Sequence, residues 1–419
     1  MSRLNWLLSR IRRTLWVRVA LYALLGVVAA LLASLSNRFL AGQAPLDISS
    51  DAIDSLLTII ASSMLAVTTF SVGALTAAYG AATSNATPRA TPLLTEDGVV
   101  QRSVSTFVGS FVFSIVALIA SKVSVYGPEG RAILFLVTLA VIGLIVMALL
   151  RWINQLTKLG RVGDTIARIE QATEGAMKAR IAMPYLGGRV LEGGYRGTPV
   201  LSQEVGYVQF VDTEALSEMA EEGGIDLDVH VLPGSFVFEG SVVACVPVSA
   251  EALKDETAAA IRGAFTIGAA RTFDQDPRFG LVVLSEVALR ALSPGINDPG
   301  TAIDVIGRQA RLLTFWGDAW AEAEQCEADY PRLRAPALRY DDLYEDAFTL
   351  IGRDGAGHVD VMLRLVKALQ ALARIGPPGA RAAAVHQLQV ALVRAEAAMS
   401  DGDDRRRLQA VAGMFGVER

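Results

Sequence analysis

Seven side chains between Arg271 and Asp298 are of kinds that do chemistry: Arg271, Asp274, Asp276, Glu286, Arg290, Asn297 and Asp298. Asp274, Asp276, Asn297 and Asp298 carry the hard oxygens that calcium or magnesium takes, but their spacing is not that of an EF-hand or another metal loop. Two readings follow. One is a satisfied ionic and capping network that locks a loop at a domain or subunit interface; the other is a small-ligand or cation site. Catalysis finds little support, since no nucleophile stands beside a base, no glycine loop cradles a phosphate and no Gly-x-Ser-x-Gly elbow occurs. His230, His358 and His386 lie far apart, and Cys245 and Cys326 suggest no disulfide framework, so neither a metal nor a cofactor is expected.

A second pattern is chemical in a weaker sense. Between Ser55 and Pro88 there is no charged residue, and a hydroxyl returns every seventh position, at Ser55, Ser62, Thr69, Thr76 and Thr83. Thr58, Ala66, Gly73 and Gly80 share that face of a long helix, whereas Leu57, Ile60, Leu65, Val67, Phe70, Val72 and Leu75 make the remainder greasy. A membrane helix built this way either packs closely on a copy of itself or borders water.

Both patterns need elements to position them. Of the residues, 52% are hydrophobic, and they concentrate in the first third of the chain. Four transmembrane helices are predicted, over about 17–36, 55–82, 104–123 and 132–150, each near the roughly 20 residues that cross ~30 Å of hydrocarbon. No span carries a charge in its middle, which argues against a carboxylate relay. Basic residues gather before the first span (Arg3, Arg10, Arg12, Arg13, Arg18), between the second and third (Arg89, Arg102) and after the fourth (Arg151, Lys158, Arg161). Arg38, Lys122 and Arg131, with Asp47, Asp51, Asp54 and Glu129, fall to the opposite loops. The positive-inside rule then places both termini in the cytoplasm, and the Arg-rich start does not read as a cleaved signal peptide. A net charge of −5 without a basic stripe argues against nucleic acid as a partner.

The expected organisation is a transmembrane domain over 1–155, a connecting helix over 156–183, a small β-rich cytoplasmic subdomain over 184–250 and an α-helical cytoplasmic subdomain over 251–419. Short β-branched runs broken by glycine mark the β part, with one helix from Asp212 to Glu222. Its Pro233-Gly-Ser-Phe-Val-Phe-Glu-Gly segment resembles the turn of lipoyl and biotinyl carrier domains, hence a barrel- or hammerhead-like expectation, although no lysine stands ready to carry a prosthetic group. After Ser249 the pattern reads as helical to the end, with helices over Glu251–Ile267, Gly280–Leu292, Thr301–Trp316, Tyr340–Ile351, Val359–Ile375, Ala380–Met399 and around Arg405–Met414. The second of these is apolar on most sides and should draw Glu286 and Arg290 inward, where they pair with each other or with Arg271, Asp274, Asp276 or Asp298. Ser293-Pro-Gly-Ile-Asn-Asp-Pro then forms a turn in which Asn297 or Asp298 caps the next helix.

The run Arg271-Thr-Phe-Asp-Gln-Asp-Pro-Arg-Phe-Gly-Leu, continued by Ala288-Leu-Arg-Ala-Leu-Ser-Pro-Gly-Ile-Asn-Asp-Pro-Gly-Thr-Ala, resembles the signature of a bacterial family of predicted membrane proteins, domain of unknown function 2254. Thr87-Pro-Arg-Ala, Gln101, Gly109-Ser-Phe-Val-Phe and Gly206-Tyr-Val-Gln with Asp212 and Leu216 match it as well, so the likeness spans nearly the whole chain. What the resemblance implies is architecture, not an activity, and the expected location is a bacterial inner membrane. From the residues, the expected function is a homo-oligomeric ion channel whose second span lines the pore, with the bilayer, further copies of the chain and ions as its partners. Its plan resembles small-conductance mechanosensitive channels by analogy alone. The alternative is a membrane-anchored scaffold or sensor that binds a protein or small ligand through the Arg271–Asp304 region.

Overall fold

Long apolar runs with few helix breakers make the first part of the chain helical. In the computed structural model, which describes residues 6–8, 11, 14–35, 49–123, 126, 128–249 and 251–413, these runs form α1 (Leu15–Leu35), α2 (Ser50–Asn85), α3 (Gly98–Lys122) and α4 (Pro128–Leu156). Arg3, Arg10, Arg12, Arg13, Arg38, Asp47, the expected end of the first span at Ser36 and the expected helix end at Met414 lie outside the described residues. Three stretches, Ser50–Asn85, Gly98–Lys122 and Gly130–Leu156, are long and apolar enough to cross a membrane, and in α1 the apolar stretch Trp16–Leu31 is shorter.

These helices belong to a unit made of Leu7–Ser84 and Thr91–Asp164. Its interior falls into two clusters. Ile60, Met64 and Leu75 of α2 meet Val104, Phe107 and Trp152 in one, and Ile53 and Leu57 meet Ala30, Phe113 and Leu134 in the other. Polar contacts close both ends. Asp97 caps α3 by accepting from the amides of Val99 and Val100 at 2.8 and 3.0 Å, while its other oxygen takes the Gln155 amide at 2.6 Å. At the far end of α3, Asp54 accepts from Ser121 and pairs with Lys122, each at 2.7 Å. The tightest seam joins α1 to α3. A Cβ on Gly26 would lie 2.7 Å from the Gly109 carbonyl oxygen, and one on Gly109 would lie 2.9 Å from that of Tyr22, so only glycine lets these backbones touch.

The other unit gathers Trp6, Asn85–Ala90 and the chain from Thr165 onward. A helix, α5 (Val162–Ala182), leads into β1 (Arg189–Val190), β2 (Thr198–Leu201), β3 (Gly206–Val211), α6 (Thr213–Glu222), β4 (Leu227–Val229), β5 (Phe236–Val237) and β6 (Val242–Val246). Next come α7 (Asp255–Gly263), β7 (Phe265–Gly268), α8 (Pro277–Ala291), α9 (Pro299–Ala323), β8 (Leu333–Ala335), α10 (Tyr340–Asp354), α11 (Val359–Ile375), α12 (Pro378–Ala398) and α13 (Gly402–Gly413). One sheet runs β1-β8-β4-β6-β2 and a second runs β5-β3-β7. Val208, Val211, Leu216, Leu227, Val243 and Ile261 fill the core between them.

Two expectations need correcting. The helix predicted over Glu251–Ile267 stops at Gly263, because the β-branched pair Thr266 and Ile267 joins β7 against β3. Nor is the chain wholly helical after Ser249, since Leu333–Ala335 enters the larger sheet parallel to both β1 and β4. The β structure therefore recruits strands from beyond residue 250.

Candidate functional site

Helix α8 organises the signature. Leu281, Val283, Leu284, Val287 and Ala288 are buried all round it, and only one narrow strip, holding Glu286 and Arg290, escapes the core. At its N-terminus Asp276 accepts from the Phe279 amide at 3.1 Å and holds Arg271 in a fork, Nε at 2.7 Å and a terminal nitrogen at 2.9 Å. The Arg271 guanidinium also lies over the Phe279 ring. Gly234 has φ +96°, and a Cβ there would collide with the Asp276 carboxylate, so the glycine turn of the β region is seated directly on the ion pair. The lipoyl-like turn thus has a packing role.

Three further groups join this end of α8. The Gln275 side chain accepts from the Val211 amide at 3.0 Å, fastening the loop to β3. Arg180 is buried and donates to the Gln275 carbonyl at 3.2 Å; burial pulls its guanidinium down to about 10, while the Asp276 charge works the other way. Asp274 accepts from the Trp6 indole at 2.9 Å, and that indole stacks on Phe210 with ring centres 5.1 Å apart. Sequence reasoning missed Trp6 and Arg180. A solitary apolar residue in a basic leader gives no periodic signal, and Arg180 is one of several charges in the segment expected to form the connecting helix.

The remaining signature residues sit elsewhere. Glu286 pairs with Arg89 and accepts from Thr87 at 3.1 Å, which ties Thr87-Pro-Arg to α8 and holds the Arg89 guanidinium firmly protonated. Contrary to expectation, Arg290 is exposed and makes no ion pair among the described residues, because it lies on the uncovered strip of α8. Asn297 is exposed with φ +50°, a conformation asparagine tolerates better than most residues. Asp298 caps α9, accepting from the Thr301 amide at 3.1 Å and hydroxyl at 2.6 Å, contacts that hold its carboxyl below the usual range. The length of α8, ~21 Å at roughly 1.5 Å per residue, separates Asp276 from Asp298. Asp274, Asp276, Asn297 and Asp298 therefore do not converge on one cation, and the geometry is that of a capping and ion-pair network.

The hydroxyl pattern lies on α2. Ser55, Thr58, Ser62, Ala66, Thr69, Gly73, Thr76 and Gly80 are all exposed on the chain, opposite the face where Ile53, Leu57, Met64 and Leu75 are buried. At ~100° per residue the centres of the two faces are roughly 160° apart. Four of these hydroxyls donate back into their own helix: Thr58 to the Asp54 carbonyl at 2.8 Å, Ser62 to Thr58 at 2.9 Å, Thr69 to Leu65 and Thr76 to Val72 at 3.0 Å. What remains for a neighbour is a row of acceptor oxygens. Exposed Ile59, Leu65, Phe70 and Val72 flank the row on both sides. Among the described residues nothing lies within 4 Å of where a Cβ on Gly73 or Gly80 would point, so their close packing, at Gly26 and Gly109, does not use this stripe.

Comparisons with known proteins agree with the membrane reading. Uncharacterized proteins of Mycobacterium bovis and Mycobacterium tuberculosis are each 29% identical over 225 residues, 49% of this chain and 41% of the relative. The chain thus spans well under half the length of these relatives. No solved structure matches it significantly. The family model described as predicted membrane protein (DUF2254) matches residues 12–371, and the chain belongs to that family.

Proposed function

We propose that the chain is a homo-oligomeric ion channel of the bacterial inner membrane, with α2 lining the pore and the unit that contains the signature serving assembly and gating. The observation that carries this reading is the stripe itself: a column of back-bonded hydroxyls and bare glycines on the side of α2 that the other described residues leave open. Glycine inside a helix costs about 0.5–1 kcal/mol relative to alanine. Among the described residues nothing packs on Gly73 or Gly80 to offset that cost. A second copy, or a lumen that needs width, does.

Chain connectivity supports four spans and cytoplasmic termini. Trp6, Asn85–Ala90 and the chain from Thr165 all belong to one compact unit, so the chain must leave it and return twice. If that unit stays on one side of the bilayer, α1 and α2 form one out-and-back pair, and α3 and α4 form the other. On this account the α1 helix, 21 residues long, spans despite its shorter apolar core. The basic residues beside Asn85–Ala90 and after α4 favour the cytoplasm for that unit.

The test is ion flux from liposomes carrying the purified chain, with Thr69→Lys as the discriminating variant. A wild-type flux that Thr69→Lys alters in rate or selectivity supports the channel. Absence of flux under voltage, tension and pH change defeats it and leaves the scaffold reading, in which the exposed Arg290, Ile296 and Asn297 offer the recognition surface.

A further inference from the structure

Ile60, Met64 and Leu75 pack α2 against α3 and α4, and beside Leu75 side chains of α1, α2 and α3 face one another. A groove of about 850 Å³ opens there. Its floor is apolar, made by Val19, Val72, Leu75, Val104 and Val108. Its mouth is polar, edged by Thr14, Tyr79, Thr95 and Glu96, with Trp16, 71% exposed, at the rim. From Thr68 to Tyr79 the groove runs ~16 Å along α2, close to the ~15 Å depth of one leaflet.

The walls belong to apolar helices of a membrane protein, so the surrounding medium is hydrocarbon and an empty groove would forfeit dispersion contacts along its lining. A depth of one leaflet, an apolar floor and a polar mouth beside an interfacial tryptophan are the attributes of a single phospholipid. We propose that this groove binds one phospholipid, with an acyl chain along Val72, Val104 and Val108 and the glycerol and headgroup at the level of Thr95. The lipid also touches Thr76, a residue of the exposed stripe. It therefore bridges the three helices that line the groove. The site rests on the membrane setting and not on conduction, so it stands or falls separately from the channel.

The full chain, purified in detergent and stripped by extensive exchange, is titrated with phosphatidylcholine brominated on its acyl chains. Native mass spectrometry counts bound lipid, and quenching of Trp16 reports it, with Trp16→Phe as the blank. One lipid per chain and quenching that saturates at that ratio are expected. Val72→Phe with Val104→Phe fills the floor and should abolish the saturable part, whereas Val146→Phe, on an exposed face of α4, should not. Quenching that rises without saturation overturns the proposal, as does saturation unchanged by the filling pair. Uptake by dissociated monomers alone would assign the groove to a neighbouring copy, which also overturns it. Should the filled variant not fold, the stoichiometry of the unaltered chain decides.

Discussion

Replacing Asp276 by alanine removes three contacts at once. Its carboxylate, 2% exposed, neutralises Arg271 through two short bonds, caps α8 and supports the charge on buried Arg180. Breaking a buried ion pair from one side costs about 3–5 kcal/mol, and losing an N-cap costs about 1 kcal/mol. Because the same oxygens serve both roles the costs overlap, and ~4–5 kcal/mol is expected for Asp276→Ala. Asp276→Asn retains a capping side chain and should lose roughly half as much. Asp298→Ala removes an exposed cap and should lose only about 1 kcal/mol. Urea unfolding in detergent, followed through the buried Trp316 and Trp320 of the same unit, orders the three variants. In an Asp276→Ala background, Arg271→Met should add little further loss, since it removes the stranded cation. If Asp276→Ala falls within ~1 kcal/mol of the unaltered chain, or equals Asp298→Ala, the signature is not a buried electrostatic lock.

Gly109→Leu should wedge α1 from α3 and destabilise by at least ~1–3 kcal/mol, whereas Gly73→Ala, which meets nothing, should leave the thermal stability of the monomer equal or slightly higher. The His230 imidazole, packed against the Tyr195 ring, is held below its ordinary value by burial, with Asp228 opposing. The unfolded chain then takes up that proton first as pH falls, so stability should decline below pH ~6.5 until the folded state protonates as well. His230→Gln should flatten that slope in urea midpoints compared between about pH 7.5 and 5.5. Trp6→Ala removes the stack on Phe210 and the bond to Asp274, and should expose the N-terminal segment to proteolysis without altering the far-ultraviolet spectrum.

Periodic features were readable from the residues. A long apolar run declares a helix whatever it packs on, so Val359–Ile375 has its expected bounds, while Ser50–Asn85 and Gly98–Lys122 begin five and six residues before the expected spans. A cap at this turn was legible too, with Asn297 and Asp298 both suited by type, and Asp298 is the one that accepts from Thr301. Non-local pairing was not. Phe265–Gly268 and Leu333–Ala335 are too short to show alternation, and they become strands only because β3 and β4 offer them edges. The same limit hid the partner of Glu286. Arg89 looked like a topology signal, and nothing in its neighbourhood reveals a carboxylate 197 positions later. Nor does a hydroxyl stripe disclose whether its own chain covers it; only the fold shows the stripe residues, from Ser55 to Gly80, left exposed by the described residues.

The most direct test of the channel is water access to that stripe in the assembled protein. With the exposed Cys326 replaced by serine, single cysteines at Ser62, Thr69 and Thr76 meet a membrane-impermeant thiol reagent in liposomes, alongside controls at the exposed apolar residues Ile59 and Phe70. The account predicts that the three stripe positions react, that reaction at each changes ion flux, and that the controls do neither. Stripe cysteines that stay unreactive toward the reagent, yet form disulfides between copies on oxidation, would make the stripe a dry helix seam and contradict it.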